Sequence, residues 1–71
     1  PLWLALKAKR LELAREQGVP PYVIFHDSTL LDMHSRLPKT LTQMEQVRGI
    51  GQAKLEKYGG VFLQVVDDNL N

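Results

Sequence analysis

The chain has 71 residues, no cysteine and a formal net charge of +1, with 44% hydrophobic and 24% charged residues. This composition predicts one small globular domain with a thin core, and it excludes a disulfide framework and a cysteine-based zinc site. The small net charge also argues against a strongly basic nucleic-acid binder, because phosphate contacts supply most of the affinity of such proteins.

The first predicted element is an amphipathic helix from Leu2 to Gln17. Its main apolar stripe is interrupted by Arg10, which we expect to pair with a carboxylate near the core. A second, weaker apolar row consists of Leu4, Ala8 and Leu11. This row predicts either a shallow extension of the core or a contact surface for the rest of a larger protein.

The stretch from Val19 to Leu30, VPPYVIFHDSTL, organises the rest of the chain. Pro20 and Pro21 fix φ and disfavour helix just before them, so they end the first helix. Tyr22, next to the prolines, is expected to face outward.

An apolar run follows Tyr22 and is too short for an ordinary helix. We expect it to form a wedge that fills a small core with Val23, Ile24 and Phe25. Asp27 then has the position and chemistry of a helix N-cap, since its side-chain oxygen can accept a backbone N–H two or three residues later.

Two short helices are predicted next. The first runs from Ser28 to Arg36, and its expected inward residues are Leu30, Met33 and Leu37. Thr40 and Gln43 fit a capping box that starts the second helix, which extends to about Val47. Its expected buried residues are Leu41, Met44 and Val47.

The C-terminal third contains a tight turn at Gly49-Ile50-Gly51, with Ile50 expected in the core. A helix from Gln52 to Tyr58 follows. Gly59-Gly60 is expected to break or bend the helical run, because two glycines cost about 2 kcal/mol in a helix interior. A last helix runs from Val61 to about Leu70. The fold class is therefore all-α, a compact bundle of four to five short helices.

Two separated segments, PPYVIFHDSTL and GIGQAKLEKYGGVFLQVV, resemble the HRDC (helicase and RNase D C-terminal) domain in order and spacing. This is the small helical module of RecQ-type DNA helicases and of RNase D. The resemblance covers nearly the whole chain and implies one HRDC-like domain over residues 1–71, as a fragment of a larger helicase. It implies that ATP and Mg²⁺ serve the parent enzyme, with no cofactor in this domain.

The sequence predicts no catalytic or metal site. His26, Asp27 and Ser28 are consecutive, so they cannot converge as a catalytic triad. His26 and His34 have no third imidazole or cysteine to complete a metal site. The segment GIGQAK lacks both the GK[ST] ending of a P-loop and the third glycine of a dinucleotide fingerprint.

The Gly-hydrophobic-Gly turn has two interpretations. It resembles half of a helix–hairpin–helix element, in which glycines let backbone N–H groups approach a phosphate. Alternatively, it is only the tight connection that two helices need. The candidate binding groups around it are the backbone of Gly49 and Gly51 and the side chains of Arg48, Lys54 and Lys57.

Tyr22 also has two interpretations. An exposed aromatic ring beside a rigid diproline is a candidate stacking platform for an unpaired base. It could equally be a residue at the rim of the core with a wet hydroxyl. The resemblance favours the platform, because it implies that the tyrosine of the PPY motif lies in the DNA-contacting surface of bacterial RecQ HRDC domains.

Three functional hypotheses follow. The domain is an auxiliary module of a RecQ-type helicase that binds DNA weakly and in a salt-sensitive manner. Alternatively, it is a regulatory module that docks on the catalytic core of its parent, or an RNA-contacting domain of an RNase D-type exoribonuclease. We expect a monomer. We also expect no membrane contact, because no apolar run reaches membrane-spanning length. The absence of cysteine and the implied bacterial parent indicate a cytoplasmic location.

Overall fold

Five α-helices make up most of residues 1–70, the part of the chain that this computed structural model describes. They are α1 (Leu2–Gln17), α2 (Pro21–Ile24), α3 (Asp27–Arg36), α4 (Leu41–Glu45) and α5 (Gln52–Asp68). No β-strand occurs within residues 1–70. The predicted all-α bundle of four to five helices is confirmed.

The end of α1 follows the sequence signals. Gly18 takes the left-handed conformation, with φ 66°, and its N–H bonds to the carbonyls of Ala14 and Arg15. Pro21 is then the first residue of α2, where its missing N–H has no intrahelical partner to lose. The diproline therefore ends one helix and starts the next within three residues.

The wedge contains a helical turn that the sequence did not predict. Residues 21–24 are helical, so successive side chains are rotated by about 100° around the axis. Ile24 and Phe25 are buried as predicted, with 0% and 1% of their surfaces exposed. The prediction for Val23 is wrong: it is 41% exposed, because the turn directs it away from the core.

The prediction of Asp27 as an N-cap is also wrong. His26 is the N-cap residue of α3 by backbone geometry, and no side chain bonds to the free N–H groups there. Asp27 is the first helical residue, and its Oδ1 lies 2.7 Å from Nη1 of Arg10. The same Arg10 nitrogen donates to the Phe25 carbonyl at 3.0 Å. The expected pairing of Arg10 with a carboxylate is confirmed, and this pairing takes Asp27 away from capping.

The Thr40 cap is confirmed. Its Oγ1 accepts from the Gln43 N–H at 3.1 Å, while the Gln43 side chain accepts from the Lys39 N–H at 2.8 Å, one residue before the cap. Two neighbouring leucines are more exposed than predicted, Leu37 at 37% and Leu41 at 50%. Leu37 has a left-handed backbone, with φ 50°, so the helical spacing that would direct it inward no longer applies.

The two glycines Gly59 and Gly60 do not break the last helix, contrary to the prediction. Helix α5 continues through both for 17 residues. Burial along one face extends across the glycines, from Tyr58 to Phe62 and Val66, and this packing outweighs the intrinsic cost of glycine in a helix. Gly59 is buried: a Cβ there would lie 3.0 Å from Cδ2 of Leu41, which comes from α4.

Alanine substitutions should separate the roles of the two glycines. Gly60→Ala is expected to raise the free energy of unfolding by about 0.5–1 kcal/mol, because its added Cβ meets nothing within 4 Å. Gly59→Ala should gain less or lose stability, since Leu41 and Leu55 must shift to admit the methyl group. Urea unfolding followed by circular dichroism measures both changes. Equal gains from the two substitutions would contradict the close approach of α4 to α5.

The core is centred on three aromatic rings. Phe25 makes edge contacts with Phe62 and Tyr58, with ring centroids 5.0 and 5.7 Å apart. Aliphatic side chains from the other helices surround these rings, including Leu6, Ile24, Leu30, Met33 and Met44. Phe25 therefore joins the α2–α3 junction to α5, and this contact positions the residues discussed next.

Candidate nucleic-acid interface

The glycine turn lies against α3. Gly49 has φ 83°, a conformation that side chains disfavour, and a Cβ at this position would collide with Oγ1 of the buried Thr29. The backbone N–H of Arg48 donates to Oδ2 of Asp32 at 2.8 Å. The expected burial of Ile50 is confirmed at 6% exposure. The close packing of the turn on α3 is therefore sufficient to explain why glycine occupies position 49.

Asp32 adds a negative charge beside Arg48. Its Oδ2 also accepts from Nε of Arg36 at 2.8 Å. The backbone N–H of Arg48, followed by the Arg36 side chain, holds the pKa of the Asp32 carboxyl below its ordinary value. Asp32 is therefore ionised at neutral pH and reduces the positive potential at this end of the turn.

Gly51 differs from Gly49. It is the N-cap of α5, with φ −88° and ψ 178°, which any residue can adopt, and a Cβ there would meet nothing within 4 Å. Neither backbone strain nor packing requires glycine at this position. Because glycine has no side chain, it leaves the first N–H groups of α5 without a side-chain cap and open to an approaching group.

Lys54 and Lys57 lie on one aromatic cluster. The ammonium of Lys54 lies 5.7 Å from the centroid of Phe25, and that of Lys57 lies 5.5 Å from the centroid of Tyr58. The two rings contact each other, so the structure places both lysines at the border of the same cluster. Lys54 itself is half-buried.

Tyr22 is exposed, as predicted, with 59% of its surface accessible. Its ring stacks with that of His26: the centroids are 5.9 Å apart and the planes differ by 27°. His26 directly precedes Asp27 and follows Phe25, the residue whose ring lies 5.7 Å from the Lys54 ammonium. Tyr22 is thus linked to Lys54 through adjacent residues, whereas Arg48 lies beside α3, near Ser28 and Asp32.

His26 is the partner of Tyr22 that sequence reasoning missed. The spacing of four residues gave no signal for this contact, because α2 ends at Ile24 and both Phe25 and His26 have extended backbones, so Tyr22 and His26 do not lie in one helix. Trp3 is half-buried, and its ring meets that of His34 edge-on at 6.1 Å.

Neighbouring residues of this surface have different contacts. His26 contacts Tyr22, and Asp27 contacts Arg10, so these neighbours point to separate partners. Within residues 1–70, no group of three or more His, Asp or Glu side chains is arranged to hold a metal ion. In the same range, none of the helices has the length and apolar character needed to cross a membrane.

Known proteins resemble nearly the whole chain. It is 42% identical over 65 residues to the ATP-dependent DNA helicase RecQ of Bacillus subtilis and 46% identical over 65 residues to the ATP-dependent DNA helicase UvrD2 of Mycobacterium tuberculosis. Each alignment covers 92% of this chain but only 11% and 9% of those helicases. The chain therefore spans about a tenth of the length of these relatives.

A solved structure has the same fold. Domain 3 of the HRDC domains of D. radiodurans RecQ superposes with a TM-score of 0.94 at 34% identity, covering 99% of this chain and 92% of that one. The model of the HRDC domain family matches residues 1–66. The resemblance inferred from the PPYVIFHD and GIG motifs is thus confirmed over the range that includes both, and the chain belongs to the HRDC domain family.

Proposed function

We propose that this domain is an auxiliary nucleic-acid-binding module of a RecQ-type ATP-dependent DNA helicase. It binds single-stranded or partly duplex DNA weakly and tunes substrate choice in DNA repair and recombination. The observation that carries this proposal is the exposed ring of Tyr22, which stacks with His26, the residue next to Phe25, whose ring lies near the Lys54 ammonium.

Each proposed contact has a distinct role. Tyr22 stacks on an unpaired base, a contact worth about 1–3 kcal/mol per base. Lys54 and Lys57 attract the adjacent phosphates, and the backbone at Gly51 offers N–H groups at the start of α5. Arg48 and Gly49 form the far edge of the surface, where Asp32 weakens the attraction for phosphate.

We assign the chemistry of unwinding to the parent protein. The helicases reported above are ATP-dependent, which supports ATP as a cofactor of the parent. We propose that Mg²⁺ accompanies it there and that this domain itself holds no cofactor. The same helicases also favour a DNA helicase over an RNase D-type exoribonuclease as the parent. We propose that the domain acts as a monomer in the cytoplasm of a bacterium, where its parent acts on the DNA of the nucleoid.

Fluorescence anisotropy of a labelled single-stranded oligonucleotide tests the proposal. Binding should be detectable at low salt, and log Kd should change with log salt with a slope of about 1.4–2 in magnitude if two or three phosphates are neutralised. Tyr22→Ala should weaken binding at least about fivefold, whereas Tyr22→Phe should retain it. Lys54→Gln should reduce the slope by about 0.7.

Lys39→Gln is the matched control, because Lys39 is an exposed lysine in the connection between α3 and α4. It should change neither the affinity nor the slope by as much as Lys54→Gln. No binding at low salt, or a slope near 5 in magnitude, would contradict the proposal. Equal effects of the two lysine substitutions would contradict the location of the surface.

A regulatory docking function is the second candidate, favoured by the outer face of α1. Leu4 is 64% exposed and Leu11 is 40% exposed, and both border a shallow groove with Ala8 and Pro21. We propose the catalytic core of the parent as the partner of this face. Adding the domain in trans to a parent that lacks it should change ATPase activity or DNA affinity, and Leu4→Lys should abolish that change. No effect of the added domain would eliminate this candidate.

A further inference from the structure

The Tyr22–His26 ring pair supports an inference that rests on the proposed function and extends it. Both residues are exposed, and their planes are nearly parallel with centroids 5.9 Å apart. At this separation the rings are displaced rather than fully eclipsed, so each leaves part of a face open to solvent. Ile24 and Phe25 are buried in the core, whereas the ring of His26 is exposed and is not part of that core.

We propose that His26 is a further nucleic-acid-binding residue, whose protonated imidazole contacts the phosphate next to the base stacked on Tyr22. The ligand is a single-stranded nucleic acid, with one base on the phenol ring and one phosphate at the imidazolium. Affinity therefore rises as pH falls from 8 to 5.5, the range in which histidine ordinarily gains its charge.

Charged groups from three helices lie around His26. Asp27 is adjacent on α3, and Arg10 and Lys7 of α1 lie close enough to Asp27 to stabilise its charge. Lys54 of α5 reaches the ring of the preceding residue, Phe25. Lysine and arginine side chains ordinarily keep their charge between pH 5.5 and 8.

Asp27 offsets only part of the charge of a protonated His26, because Arg10 has a larger effect than His26 on the pKa of Asp27. Its carboxylate is already paired with Arg10 at 2.7 Å, and that contact holds the pKa of Asp27 below its ordinary value. Asp27 therefore stays ionised throughout the range, and its local charge is balanced by the guanidinium. The proton on His26 adds a net positive charge to the surface that carries Tyr22.

Protonation has two effects on the bound state. A cation within about 6 Å of an aromatic centroid is attracted to the ring face, so the charged imidazole holds Tyr22 more firmly in place. The same charge adds one phosphate contact. On a single strand, one more neutralised phosphate increases the magnitude of the salt slope by about 0.7, an effect that better ring packing alone would not produce.

Anisotropy of a labelled oligothymidylate at pH 5.5 and pH 8 tests the inference, because thymine bases do not gain charge in that range. The unmodified domain should bind about three- to fivefold more tightly at pH 5.5 in low salt, as expected for one exposed charge contact. The salt slope should be steeper at pH 5.5 by up to about 0.7. Circular dichroism at both pH values establishes that the domain remains folded.

Two substitutions separate the ring from the charge. His26→Phe keeps a stacking ring that cannot be protonated, so its affinity at pH 5.5 should be no higher than its affinity at pH 8. His34→Gln is the matched control, since His34 is the second of the two histidines and contacts Trp3 instead. It should retain the full pH effect.

The outcomes distinguish this inference from the function on which it rests. A pH effect that persists in His26→Phe, or that is absent although Tyr22→Ala weakens binding, would overturn the role of His26 alone. A gain in affinity at pH 5.5 without a steeper salt slope than at pH 8 would overturn the phosphate contact. No binding by the unmodified domain at either pH would overturn both the inference and the proposed nucleic-acid function.

Discussion

Replacing Phe25 with alanine should lower the free energy of unfolding by about 3–5 kcal/mol. Phe25 is 1% exposed and lies between the rings of Phe62 and Tyr58. Its removal leaves a cavity at the junction of α2, α3 and α5 and ends the contact that positions Lys54. A domain of 71 residues has a total stability of about 4–11 kcal/mol, so the substitution removes a large share of it.

Val23→Ala is the matched control, because Val23 belongs to the same apolar run and is 41% exposed. Its effect should stay within about 0.5 kcal/mol. Urea unfolding measures both variants, and Phe25→Leu provides a milder loss of about 1–2 kcal/mol if the alanine variant does not fold. Comparable losses at positions 23 and 25 would mean that α2 is not helical in solution.

Replacing Arg10 with alanine should lower the free energy of unfolding by about 2–3 kcal/mol. The guanidinium is buried, donates to the Phe25 carbonyl at 3.0 Å and contacts Asp27 at 2.7 Å. Without it, that carbonyl loses its bond from α1, and the packing of the aliphatic stem is also lost. Lys9→Ala, which removes only an exposed pair with Glu12, should change stability by no more than about 0.5 kcal/mol.

The partner of Arg10 makes part of this stability depend on pH. The hydrogen bond from Arg10, and then its charge, lower the pKa of the Asp27 carboxyl from 3.8. A carboxyl group whose pKa is lower in the folded state stabilises the fold fully above its unfolded pKa, and this stabilisation is lost as pH falls through the folded value. Asp27→Asn should therefore be less stable than the unmodified domain at pH 7. The difference should shrink as pH falls below about 4 and vanish only once the pH is below the lowered pKa of the folded state.

Unfolding experiments at pH 7, 4 and 2.5 measure this difference. Asp32→Asn is a useful comparison, since the pKa of Asp32 is also lowered, but by Arg48 and Arg36 at the other end of α3. The effects of the two asparagine substitutions should be independent. A stability difference for Asp27→Asn that stays constant with pH would contradict the ion pair with Arg10.

Local chemistry in the sequence predicted several features that need only neighbouring residues. Gly18 and the diproline end α1, Thr40 caps α4, and Ile50 anchors the glycine turn, as the structure confirms. The interruption of the α1 stripe by Arg10 indicated a buried pairing, because a charged side chain in an apolar stripe needs a partner. The exposure of Tyr22 also followed from its position beside the prolines.

The candidate surface was predicted only in part. The types and positions of Tyr22, Lys54 and Lys57 were available from the sequence, and their binding role stays a prediction. The stacking of Tyr22 on His26 and the closeness of Lys54 to Phe25 depend on how α2 and α5 pack. Neither contact could be derived from spacing, because extended backbone at Phe25 and His26 separates His26 from α2, and Lys54 comes from a different helix than Phe25.

The sequence by itself determined the helical class, the HRDC family and the stops and caps between helices, because these depend on local backbone chemistry and on motifs. The outward position of Val23 follows from the helical turn of residues 21–24, which the sequence did not predict. Tertiary packing decided two further points. It kept α5 continuous through Gly59 and Gly60 and drew Asp27 from its expected cap to Arg10. In both cases a contact between residues distant in the chain outweighed a local preference worth only about 1 kcal/mol.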